Sequence, residues 1–204
     1  MEAFFASTFY YMPRVKTFDE NEVLTKAMNL FWKRGYAATS VQDLVTCLGI
    51  NRASLYDTFG DKEQLFKKSF ELYRRTNKDG LIQFFQSRPS VKEGFAELFQ
   101  KAIQEAITDK DRKGCFVVNT TTELIPNDKN LLEILESNKK DFETIFYEYL
   151  KKGKEDGQLK TTQNLKSVAS LFYTLYSGIR VVSKVSTDNK KLIDSVNVAL
   201  SLLY

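Results

Sequence analysis

The chain has 204 residues, 43% of them hydrophobic, enough to bury one large core or two small ones and too many for a disordered chain. The 30 Lys and Arg residues against 26 Asp and Glu leave a formal charge of +4, which suits a polyanionic partner without demanding one. Histidine is absent, which excludes Ser-His-Asp and Cys-His catalysis, His-ligated metals and a His pH switch, and two cysteines are too few for a disulfide framework or a four-thiolate zinc site. We therefore expect no catalytic residue, no metal and no cofactor, and a reduced, cytoplasmic chain.

Residues 1–13, "MEAFFASTFYYMP", are apolar and aromatic but lack a basic start, a long uninterrupted apolar run and a small-residue cleavage site. They fall short of the roughly 18 apolar residues of a membrane span, and no later stretch reaches that length uncharged, so no membrane insertion is expected. This N-terminal extension is either an upstream addition set by start-codon choice, since "MPRVKTFDENE" from Met12 is itself an ordinary start, or an aromatic arm packed on the body.

Behind Asp19, apolar residues at Val23, Ala27, Leu30 and Phe31 mark one face of a first helix that ends near Gly35. Ser40 caps a second, two-turn helix with Val41, Leu44, Val45 and Leu48 inward, closed by Gly49. Asn51 caps a third with Leu55, Tyr56 and Phe59. Asp61 and Gln64 form a capping box for a fourth that carries Leu65, Phe66, Ser69, Phe70 and Tyr73 to about Lys78. Pro89 and Ser90 open a fifth helix, with Val91, Phe95, Leu98, Phe99, Ala102 and Ile103, that fades at "TDKDRKG". The segment "CFVVNTTTELI" has the β-branched content of a strand, but its surroundings favour a short buried helix. Pro126 to Asp128 restarts a long helix with an apolar stripe from Leu131 to Leu150. Two more follow, with faces running from Val168 to Val182 and from Leu192 to Leu203. The expected fold is all-α, about nine helices.

The second helix, a turn containing Gly49, and the third helix have the outline of a helix-turn-helix. Asn51, Arg52, Ser54 and Asp57 occupy the outer face of the third helix. Arg52 can pair bidentately with guanine and Ser54 can bond a base edge. Thr39, Ser40, Tyr56 and Lys62 are types that grip phosphates, helped by backbone N–H groups at helix starts. The plain alternative is that these are the caps and solvated faces of a helical bundle that does not read DNA.

The segment "LFWKRGYAATSVQDLVTCLGINRASLYDTFGDKEQLF", Leu30 to Phe66, closely resembles the DNA-binding domain of the TetR/AcrR family of bacterial transcriptional regulators. The resemblance lies in Gly35-Tyr36, the Ala-Thr-Ser-Val opening of the second helix, the Leu-Gly-Ile turn, and Leu-Tyr before Phe-Gly-Asp-Lys-Glu. It implies a helix-turn-helix DNA-binding domain over residues 14–62, joined through the fourth helix to a larger effector-binding and dimerisation domain over residues 63–204. It also implies that Gln42, Arg52, Ala53 and Ser54 face bases of a double-stranded operator, and that Thr39, Ser40, Tyr56 and Lys62 hold phosphates. Asp57 departs from the aromatic residue or His common at its place, which weakens one expected backbone contact and sets a negative charge near phosphate. From Arg14 to Asp79 there are twelve basic and nine acidic side chains, so most of the net charge lies where DNA would.

The last two helices are apolar over more than one face, and Ser177-Gly178 offers a small spot for close helix approach, which fits homodimerisation through these helices. The resemblance implies an effector pocket drawn from Phe84, Phe85, Phe95, Phe99, Phe116, Thr120, Phe146, Tyr149, Phe172 and Tyr176. An aromatic cavity with a few hydroxyls and no buried cation would take a small, mostly apolar molecule. Cys115 in "KGCFVVNTTTEL" matches a Gly-Cys segment of one branch of the family, so a thiol or electrophile sensor is the alternative to a pocket sensor. Cys47 is expected to face inward as a packing residue. The function expected is a ligand-responsive repressor, not an enzyme; a helical interaction protein that does not read DNA is the other alternative.

Overall fold

The computed structural model describes residues 18–125, 128–185 and 188–204, which form nine helices and no strand. The N-terminal extension and the expected restart at Pro126 lie outside the described residues. The helices are α1 (Glu20–Arg34), α2 (Val41–Leu48), α3 (Arg52–Phe59), α4 (Lys62–Gln86), α5 (Val91–Thr108), α6 (Phe116–Leu124), α7 (Lys129–Glu155), α8 (Leu165–Val182) and α9 (Asn189–Ser201).

Side-chain caps set the starts. Asp19 accepts from the amides of Asn21 and Glu22, Asn51 from Ser54, Asp61 from Gln64, and Asp128 from Asn130 and Leu131. The reciprocal capping box closes at α2 instead of α4: Ser40 Oγ accepts the Asp43 amide at 3.1 Å while Asp43 Oδ2 accepts the Ser40 amide at 2.9 Å. The Ser40 hydroxyl bond, backed by the Ser40 amide, holds the Asp43 carboxyl below the usual carboxylate range.

Two clusters of apolar side chains share α4. Leu65, Phe66, Phe70 and Tyr73 pack with α1, α2 and α3, while Leu81 and Phe85 pack with α5, α7 and α8. This helix has 25 residues, not the four to five turns expected, and spans about 37 Å. It passes through Gly80 because the apolar pattern resumes at once with Leu81. The first cluster also recruits Phe116 and Val117 of α6 and Leu131 and Leu135 of α7. Phe116 meets Phe66, Phe70 and Tyr73 edge-on at 5.8, 5.3 and 5.5 Å. In the second, Phe95 meets Phe172 at 4.8 Å, and the Tyr149 ring stacks on Phe85 at 4.1 Å. A Cβ on Gly94 would come within 2.2 Å of the Tyr149 hydroxyl, so only glycine lets the tyrosine close over α5.

Candidate functional site

The turn between α2 and α3 runs through Gly49 at φ 69 and ψ 25, the left-handed conformation that glycine adopts without strain. Leu44, Leu48, Leu55 and Phe59 face the core, so the opposite surfaces of the two short helices point outward together. Gln42, Asn51, Arg52, Ala53, Tyr56 and Asp57 are exposed and Ser54 is half-buried. Arg52 lies along the helix against Tyr56, donating to its hydroxyl at 3.4 Å with the guanidinium 5.7 Å from the ring centre. Lys62, in the first turn of α4, sits 4.2 Å over the Tyr36 ring. Ser40 is exposed and Lys62 half-buried as well, so the expected contact residues form a set with access to the surface. Thr39 does not belong to it: the side chain is fully buried and its hydroxyl donates to the Gly35 carbonyl at 2.7 Å. Cys47 also departs from expectation. It is exposed, because Leu44 and Leu48 already occupy the inward line of so short a helix.

The region before α2 is anchored by residues far along the chain. Glu123 of α6 accepts the amide of Tyr36 at 3.1 Å and that of Ala37 at 2.7 Å. Trp32 Nε1 donates to the Gly114 carbonyl at 3.1 Å, and Lys33 pairs with Asp111 at 2.7 Å. None of these partners was singled out by the sequence reading, since each joins residues some eighty positions apart.

Between α1, α4, α5 and α8 lies a cleft of about 610 Å³, within the usual range for small-molecule sites. Phe84 and Tyr176 line it as expected, together with Trp32, Tyr73, Asn77 and Arg180. The other expected pocket residues do not. Phe95, Phe99, Phe146 and Phe172 are wholly inside the second core, Phe116 and Thr120 are buried on α6, and Tyr149 shares its hydroxyl between the carbonyls of Arg88 and Ser90 at 2.9 Å each. Nor is the cleft free of cations: Arg180 is largely buried in its wall, and Lys101 and Lys113 reach it too. A single Arg inside an apolar helical stripe, four residues from Tyr176, was the available signal.

Cys115 stands at the N-cap of α6 without making a side-chain cap, half-buried, 3.8 Å from the Tyr73 hydroxyl. It lines a much smaller cavity on the far side of Tyr73 and Arg180. Burial pushes the Tyr73 hydroxyl well up, with Cys115 adding to it. Burial likewise raises Tyr176, against the pull of Arg180. Both phenols are therefore neutral hydrogen-bonding groups.

The profile of bacterial regulatory proteins of the tetR family matches residues 23–68, and that of the tetracyclin repressor-like C-terminal domain matches residues 93–197. The chain belongs to the TetR family. An uncharacterized HTH-type transcriptional regulator, YezE of Bacillus subtilis, is 34% identical over 94% of this chain and all of its own length. The HTH-type transcriptional repressor ComR of Escherichia coli is 30% identical over 93% of this chain and 90% of its own. Among solved structures, a cysteine mutant of the TetR family regulator CifR in complex with 26-base-pair operator DNA superposes with a TM-score of 0.82 at 27% identity, over 94% of this chain and all of that one. As a TetR-family member the chain is a DNA-binding transcriptional regulator, and its helix-turn-helix is α2 and α3. No helix among the described residues is long and apolar enough to cross a membrane.

Proposed function

We propose that this chain is a cytoplasmic, non-enzymatic repressor that binds a double-stranded operator as a homodimer and is released from it by a small molecule in the α1/α4/α5/α8 cleft. The observation that carries this reading is the exposed polar face of α2 and α3 around Gln42, Arg52 and Ser54, held rigid by the Ser40 and Asn51 caps. In this reading Arg52, Ala53, Ser54 and Gln42 meet bases, and Ser40, Tyr56 and Lys62 meet phosphates. Dimerisation is supported by apolar side chains that the single chain leaves in water: Leu171, Val181 and Val182 on α8, and Ile193 and Val198 on α9. An effector that favours one position of α4 over another changes the spacing of the two recognition helices, and its differential affinity sets the loss of operator affinity.

A gel shift with DNA from beside the protein's own gene tests the proposal. Salt-sensitive, sequence-selective retardation is expected, and its absence with pure dimer overturns the reading. A second reading rests on Cys115 in the wall of the small cavity beside Tyr73: release by thiol modification. N-ethylmaleimide treatment of the operator complex tests it. Release that persists in Cys115→Ser sinks it.

A further inference from the structure

The cleft has one chemically distinct end. Arg180 Nη2 donates to the Tyr176 hydroxyl at 2.7 Å and to Glu105 Oε2 at 3.2 Å, with the guanidinium 4.7 Å from the Tyr176 ring centre. Its Nε is buried without a hydrogen-bond partner. A guanidinium presents five donors, so this one is short of acceptors in a place where an unmade bond is costly. Glu105 is a weak counterion: half its side chain is in water, and Lys101 also approaches it, at 4.0 Å. The other carboxylate on the cleft, Asp109, is taken up by its own loop, accepting the amides of Asp111 at 3.1 Å and Lys113 at 2.7 Å. Lys113 itself rests 4.6 Å over Trp32. The polar end thus carries positive charge that the protein does not fully balance. The rest of the lining includes the apolar and aromatic side chains of Met28, Trp32, Leu81, Phe84 and Leu98.

We propose that the effector is an amphipathic organic acid whose anionic head displaces Glu105 and bonds to Arg180, while its apolar body lies against Trp32 and Phe84. An oxyacid head offers the guanidinium fork two acceptor oxygens and a charge that Glu105 supplies only weakly. The inference rests on the cleft being the effector site, and its test uses no DNA, so failure here and failure of the operator assay are separate results.

Trp32 is the chain's single tryptophan and lines the cleft, so a dye bound there must take energy from it, and the variants below test whether it binds beside Arg180. The full chain is titrated with anilinonaphthalene sulfonate and with uncharged phenyl-naphthylamine, which shares the aromatic body and lacks the anion. The sulfonate is expected to bind about tenfold or more tighter, the scale of a charge-assisted hydrogen-bond pair. Arg180→Met removes that preference and leaves the neutral dye's affinity in place, whereas Glu105→Gln tightens the sulfonate alone by freeing the guanidinium. Equal binding of the two dyes by the wild type, no Trp32 transfer with either, or a preference retained in folded Arg180→Met overturns the proposal. If Arg180→Met fails to fold, Glu105→Gln decides: sulfonate affinity unchanged by it overturns the proposal.

Discussion

Glu123 accepts the backbone N–H of Ala37 at 2.7 Å, joining α6 directly to the turn that launches α2. The second oxygen takes the Tyr36 amide, and Gly35, at φ 84, leaves room for the carboxylate: a Cβ there would lie 2.7 Å from Glu123 Oε2. Glu123→Ala is therefore expected to cost about 1–2 kcal/mol, lowering the melting temperature by a few degrees, and to speed hydrogen exchange at the Tyr36 and Ala37 amides. Exchange rates unchanged at those two amides would show that the turn holds itself.

Arg52 and Lys62 are expected to fail differently on DNA. Arg52→Ala costs about 1–3 kcal/mol on the preferred sequence and less on scrambled DNA, relaxing choice at one base pair. Lys62→Ala weakens all sequences alike and lowers the slope of log affinity against log salt by about 1. Anisotropy titrations over a salt series distinguish the two, and identical behaviour contradicts the roles assigned.

Val198 and Ile193 sit in water on α9 of the single chain. Val198→Asp should leave each protomer folded while shifting sedimentation equilibrium to monomer. Operator affinity then falls by about 10²-fold or more, because the second half-site is no longer tethered to the first.

Tyr149 gives a pH signature. Burial pushes its hydroxyl up to about 12 from an ordinary 10.0, with Arg88 opposing and Glu97 and Glu93 adding to it; the protonated form donates to the carbonyls of Arg88 and Ser90. Its contribution is complete below the unfolded value and is lost as pH rises through the folded one. Wild type should exceed Tyr149→Phe in stability by about 1 kcal/mol near neutrality, and that gap should close between about pH 10 and about pH 12. Denaturant titrations at stepped pH read the gap directly.

What the sequence made legible was local. Asp19, Ser40, Asn51 and Asp61 cap their helices as expected because a cap depends on a donor two or three residues away, which spacing shows. The helix-turn-helix of α2 and α3 followed from the same spacing together with the family resemblance. Thr39 misled because its hydroxyl has two uses, and only the approach of Gly35 shows which is taken. The cleft was hard to see for a related reason. Phe95 and Phe172 in a core have the same helical spacing as aromatics around a ligand, so the pattern cannot separate them. Arg180 and Glu123 depend on partners far along the chain, Glu105 in one case and the Tyr36–Ala37 turn in the other.

The sharing of α4 bears on how the protein comes apart. The DNA-binding unit expected from the sequence, ending at residue 62, holds α3, yet the ring that packs on both Phe31 and Tyr36 is that of Phe66, beyond that boundary, and Phe66 in turn leans on Phe116. Cutting the chain at residue 63 would strip the first cluster of Phe66, Phe70, Tyr73 and Phe116 together, so the DNA-reading unit is not a cartridge that can be excised or grafted. Heat or denaturant should melt both clusters in a single cooperative transition, with α4 as the rod through both.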